Sequence, residues 1–121
     1  FLEIPVNVSD TATLVKEVIR NKCIYKATES DFLSARKKMA AASSDDGMIR
    51  EAKKAMEKKC FTVQQVRNLA ALFLNDAGKF QFFEMSTAYI SNMDQVEKLG
   101  DDLKNEYYQR RFKTVLEKLY E

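Results

Sequence analysis

The sequence contains no histidine, no tryptophan, one proline and three glycines in 121 residues. Each shortage excludes something. Without histidine there is no Ser-His or Cys-His nucleophile, no imidazole general base and no His-ligated zinc. With so few helix breakers, the chain predicts an all-α fold. No apolar run approaches the roughly 18 residues that a transmembrane helix needs. An excess of one charge is missing too: 20 Lys/Arg against 18 Asp/Glu leave a net +2, too little to imply a nucleic-acid partner.

What remains is ordinary for a globular domain, with 45% hydrophobic and 31% charged residues. A chain of this length forms one domain and buries roughly two-thirds of its unfolded surface. It opens on Phe1 rather than Met, as a processed or trimmed chain does, so the want of a recognisable leader carries no weight.

Residues 1–8 hold Pro5 and read as an extended lead-in to a single helical domain over 9–121. Ser9 or Asp10 can cap a first helix with Leu14, Val15, Val18 and Ile19 on one face, ending near Lys22. Thr28 and Asp31 form a capping-box pattern for a second helix carrying Phe32, Ala35 and Met39. Ser43-Ser44-Asp45-Asp46-Gly47 is the most loop-like segment, and Asp45 or Asp46 can cap a third helix with Met48, Ile49, Ala52, Ala55 and Met56 inward. Thr62 and Gln65 make a full capping box for a fourth, carrying Val66, Leu69, Ala70 and Phe73. After a turn at Asn75-Asp76-Ala77-Gly78, a fifth helix spans about 79–92. It is apolar nearly all round, with Phe80, Phe83 and Ile90 on one side and Phe82, Met85, Tyr89 and Met93 on another, which places it at the centre. Asp94 opens a short turn through Val96 and Leu99 to Gly100. Asp101 or Asp102 then starts a final helix with Leu103, Tyr107, Val115 and Leu119.

The expected architecture is five to seven helices in antiparallel hairpins. A weak internal echo runs through it. Phe32–Met56 and Val66–Tyr89 both read helix, polar turn with Gly, helix, with Gly47 and Gly78 31 residues apart and Met39 and Phe73 in similar places. A degenerate helix-hairpin repeat and a plain irregular bundle both fit.

From Phe32 to Phe112 the order of elements resembles a domain of unknown function found mainly in Bacteroidetes envelope and secreted proteins. The matching features are Cys23, Phe32, Ser43-Ser44-Asp45-Asp46, Cys60-Phe61-Thr62-Val63-Gln64-Gln65-Val66, Phe73, Lys79-Phe80 and Asp94. The chain departs from that family at Leu74-Asn75-Asp76-Ala77-Gly78, where an acidic, Phe-containing run is usual. The resemblance implies a helical fold and an extracytoplasmic address, periplasmic, envelope-associated or secreted. It brings no activity, substrate or site residues.

Cys23 and Cys60 are placed at the ends of the first and third helices. With no CxxC spacing and no histidine, neither metal binding nor redox catalysis is favoured. The even count, together with the address that the resemblance implies, favours a Cys23–Cys60 disulfide. Two free thiols in a reducing compartment remain the alternative. Asp45-Asp46 and Asp101-Asp102 each fall where a helix begins, so capping accounts for them. Residues 31–60 hold eight Lys/Arg against five acids, but Asp31, Glu51 and Glu57 interrupt that surplus, and a solvated helix face explains it better than anion binding.

The aromatics offer the best surface. Phe82 and Phe83 point to different faces, as do Tyr107 and Tyr108, and a small bundle has few interior faces to fill. The run Tyr107, Tyr108, Arg110, Arg111 and Phe112 mixes rings and guanidinium groups as interface anchors do. The expectation is a non-enzymatic extracytoplasmic interaction or structural module with a protein partner, no cofactor, no metal and no nucleic acid. The competing expectation is a ligand-binding or enzymatic pocket beside the Phe82/Tyr89 face.

Overall fold

The structure is a computed structural model that describes residues 23–119. The lead-in with Pro5 and the first helix, with its Leu14, Val15, Val18 and Ile19 stripe, lie outside the described residues. Within them are α1 (Glu29–Ala40), α2 (Asp45–Met56), α3 (Val63–Ala70), α4 (Asp76–Ser86) and α5 (Glu106–Leu119). Two 3₁₀ segments, Thr87–Tyr89 and Met93–Asp102, complete the helical content. The fold is all-α.

Local chemistry sets the helix starts. Thr28 and Asp31 close a reciprocal capping box on α1, and Thr62 and Gln65 close one on α3, as their spacing predicts. The α2 cap is Ser44, whose side chain accepts from the Gly47 amide, so Asp45 and Asp46 occupy the first turn instead. There the carboxylates face the positive end of the helix dipole. The expected turn at Asn75–Gly78 is likewise the start of α4: Asn75 is the cap and its side chain accepts from the Gly78 amide. Gly47 and Gly78 therefore lie inside first helical turns, and no glycine among the described residues has positive φ. They do not mark the corners of the fold.

The helix expected over 79–92 ends at Ser86. Ser86 and Thr87 are buried, and their hydroxyls donate to the carbonyls of Phe82 at 2.7 Å and Glu84 at 2.9 Å. Such bonds compete with the helical ladder. The chain then tightens into the 3₁₀ turn and leaves Ile90 extended. Asp94 caps nothing, since Asn92 precedes the second 3₁₀ segment. That segment runs past Gly100 to Asp102, so α5 begins at Glu106 rather than at Asp101 or Asp102.

The elements pair as three successive hairpins: α1 with α2, α3 with α4, and the second 3₁₀ segment with α5. The second members stack side by side, α2 on α4 and α4 on α5, while α3 packs on the 3₁₀ segment. Short extended pieces join the units. Lys26 bridges Cys60 and Phe61 bridges Ile90, both in parallel. Ala27 N donates to Cys60 O and Cys60 N to Tyr25 O, each at 2.8 Å. Phe61 N donates to Tyr89 O at 3.0 Å and Ser91 N to Phe61 O at 2.9 Å. The packing is that of a helical bundle. The residue that meets Gly47 as Phe73 meets Gly78 is Ala42, whereas Met39 belongs to the α1 core stripe.

Central α4 carries the core. Phe73 stacks on Phe82 at 5.2 Å between centroids, Phe82 lies 6.1 Å from Phe83, and Phe83 lies 6.0 Å from Phe112. This relay of rings ties the ends of the second and third hairpins to the middle.

Candidate interaction surface

Asn105 caps α5, accepting from the Tyr107 amide at 2.7 Å. A second, non-local cap reinforces it. Asp76, at the first position of α4, accepts through Oδ2 from Lys104 N at 2.8 Å and Asn105 N at 2.5 Å. A carboxylate is well placed at a helix start, and here it fixes the α5 terminus against that of α4. The two termini frame an open groove of about 600 Å³ lined by Asn75, Asp76, Ala77, Lys104, Asn105 and Tyr108.

Of the aromatic and arginine run, Tyr108 lines this groove. Tyr107 is half exposed, and its ring meets that of Tyr108 edge-on at 5.0 Å. Tyr108 in turn leans on buried Phe80 at 5.7 Å. The Arg111 guanidinium lies 4.6 Å from the Phe80 ring centre and 5.6 Å from that of Tyr107, so cation–π attraction holds it between them. Arg110 pairs with Glu106 at 3.6 Å along the exposed helix face. Phe112 is different. It is 2% exposed and faces Phe83, so it belongs to the core and not to the surface. Tyr107, Tyr108 and Arg111 are thus drawn together around Phe80, while Arg110 pairs instead with Glu106.

The groove-side amides have a defined orientation. The side-chain oxygens of Asn75 and Asn105 are consumed by the Gly78 and Tyr107 amides. Their NH₂ groups, a pair of donors each, have no hydrogen-bond partner among the described residues. Next to the lining residue Asn75, Leu74 is 97% exposed.

The remaining candidates have structural employment. Cys23 and Cys60 form a disulfide with an S–S distance of 2.08 Å. Cys60 lies in the bridged segment beyond the α2 C-terminus, not at the helix end. The Cys23 sulfur approaches the Ile90 carbonyl at 3.4 Å, a contact and not a hydrogen bond because a bridged sulfur carries no proton. Asp102 receives two bonds from Arg67, at 3.0 Å from Nε and 2.9 Å from a terminal nitrogen. The partnership raises the Arg67 pKa, chiefly through that hydrogen bonding to Asp102. Asp31 is held below the ordinary aspartate value of 3.8, first by the Thr28 amide and then by Lys59 at 3.0 Å. Both shifts have architectural causes.

Phe82 is fully buried against Phe73 and Phe83, and neither Phe82 nor Tyr89 lines the groove. Among the described residues, no three Cys, Asp or Glu converge as metal ligands would, and no helix is long and apolar enough to cross a membrane. The Asp76 cap and the Arg67–Asp102 pair escape a reading of the sequence, since each joins residues about thirty positions apart with no local signal. No protein-family model, curated protein or solved structure matches the chain.

Proposed function

We propose that this domain is a non-enzymatic protein-interaction module of an extracytoplasmic compartment, and that Tyr107, Tyr108, Arg110 and Arg111 form its contact surface. One observation carries the proposal: Arg111 is held between Phe80 and the exposed Tyr107 ring. Rings and arginines that are ordered before binding lose little freedom on association, which is why such residues anchor interfaces. The extracytoplasmic address draws support from the Cys23–Cys60 disulfide, because such bonds persist in oxidising compartments. The order of elements shared with the Bacteroidetes envelope and secreted domain supports the same address, and we propose membership of that family on this ground.

Site-specific photo-crosslinking tests the surface. A photoreactive residue replacing Tyr107 should give one discrete protein adduct in an extract of the source cells, and the same residue replacing Lys38 should not. Equal labelling from both positions, or none from position 107, would overturn the proposal.

A further inference from the structure

We infer that Cys23 is the point at which an external disulfide or dithiol exchanges with this domain, and that Cys60 is the internal thiol that closes on it. This chemistry is independent of the α5 surface proposed above.

The two ends of the Cys23–Cys60 bond differ in access. Exchange begins when a thiolate meets a disulfide sulfur, so the sulfur that can be reached sets the order of events. Cys60 is 1% exposed and precedes Phe61, itself a core residue. Cys23 is half-buried, and the residues that follow it lie open to solvent. Ile24 and Tyr25 are 73% and 68% exposed, and Lys26 is exposed as well. An external sulfur therefore reaches Cys23, while the fold shields Cys60.

Bonds that involve no sulfur hold the two cysteines together. Ala27 N donates to Cys60 O and Cys60 N to Tyr25 O, each at 2.8 Å. The next rung ties Phe61 to Ile90, and the Ile90 carbonyl oxygen lies 3.4 Å from Cys23 Sγ. In the reduced chain Cys23 carries a proton that this oxygen can accept. Cys23 thus stays beside Cys60 without the covalent bond, and closure is an intramolecular step between positioned groups.

Electrons balance in both directions. In oxidation the Cys23 thiolate attacks an external disulfide, a mixed disulfide forms on Cys23, and one external thiolate leaves. The Cys60 thiolate then attacks Cys23 Sγ, the protein disulfide forms, and the second external thiolate leaves. The cysteines give up two protons and two electrons, and the external disulfide takes the electrons. A dithiol reverses these steps by attacking Cys23 Sγ and expelling Cys60. The chain is the substrate of exchange and not its catalyst.

The native chain, reduced and then freed of reductant, is pulsed with iodoacetamide and digested with trypsin. Lys22 and Lys26 bracket a peptide over 23–26, and Lys59 and Arg67 bracket one over 60–67, so the two cysteines are read separately. Cys23 should be alkylated about tenfold faster than Cys60, because access governs the attack. Loss of the helical circular dichroism signal on reduction would overturn the inference, since closure would then not occur on a folded chain. So would equal rates, or faster labelling of Cys60. Oxidised glutathione supplies the second test. Cys60→Ala should accumulate a glutathione adduct on Cys23, and Cys23→Ala should form one on Cys60 about tenfold more slowly. Adducts at equal rates on the two variants would also overturn it.

Discussion

The carboxylate of Asp45, on α2, occupies the space where a Cβ on Gly78 of α4 would lie. That carboxylate is the movable end of a partly buried side chain, so the buried Phe73 ring is the firmer limit. The Phe73 ring closes the other side, 2.9 Å from the same point.

Gly78→Ala should therefore destabilise the domain by about 1–3 kcal/mol, the usual cost of forcing an extra methyl into a packed site. The gain in helix propensity, about 1 kcal/mol, offsets part of this. Gly100→Ala should do the opposite. Its nearest neighbour would be Phe112 at 3.5 Å, ordinary contact, and its backbone φ is not positive. A gain of about 0.4–1 kcal/mol is expected from the reduced freedom of the unfolded chain. Urea unfolding of the two variants checks both signs.

The disulfide joins residues 37 positions apart and ties Cys23 to the same Cys60 that Lys26 bridges. Removing it restores freedom to the unfolded chain worth about 4 kcal/mol in the chain-entropy model. Thermal unfolding with and without reductant should show a marked fall in midpoint on reduction. Cys23→Ser, with or without reductant, should unfold as the reduced protein does.

Low pH should weaken the Thr28–Asp31–Lys59 cluster. Because its bonds favour the charged carboxylate, Asp31 has a folded pKa below the ordinary 3.8. Its contribution is present above that value and is lost as pH falls through the folded pKa. Asp31→Asn keeps an oxygen for the Thr28 amide but removes the charge. The urea midpoint of the native chain should exceed that of the variant at about pH 6 and converge with it at about pH 2.

Arg67 and Asp102 join α3 to the second 3₁₀ segment through paired bonds, with side chains 38% and 25% exposed. Solvent screening limits such a pair to about 1 kcal/mol. Arg67→Lys should lose most of that, since an ammonium cannot reproduce the two-pronged geometry. A double-mutant cycle with Asp102→Asn measures the coupling, and a value near zero would show the pair to be incidental.

Helix starts were the most legible part of the sequence, because a capping box spans three residues. Thr28–Asp31 and Thr62–Gln65 read directly. The glycines misled. Gly78 resembles a turn marker, yet it is in a first helical turn, where its missing side chain admits Asp45 from a neighbouring hairpin. The aromatic run misled in part as well. Phe112 follows Arg111 directly, but the helical turn directs one ring into the core and leaves the arginine outside. The cations of α5 were hidden for another reason. Across residues 91–121 they are averaged against Asp94, Glu97, Asp101 and Asp102, which the fold places on the second 3₁₀ segment, while Glu106 and Glu117 share α5 with them.

By itself, the sequence determined the class of the fold, the caps of α1 and α3, the apolar stripes and the central place of α4. All of these follow from interactions within one or two helical turns. Tertiary structure alone decided the parallel rungs at Cys60 and Phe61, the Asp76 brace on α5 and the groove between the helix termini. Each of these joins residues about thirty positions apart. Their pairing depends on how the three hairpins stack, and no local periodicity encodes that distance.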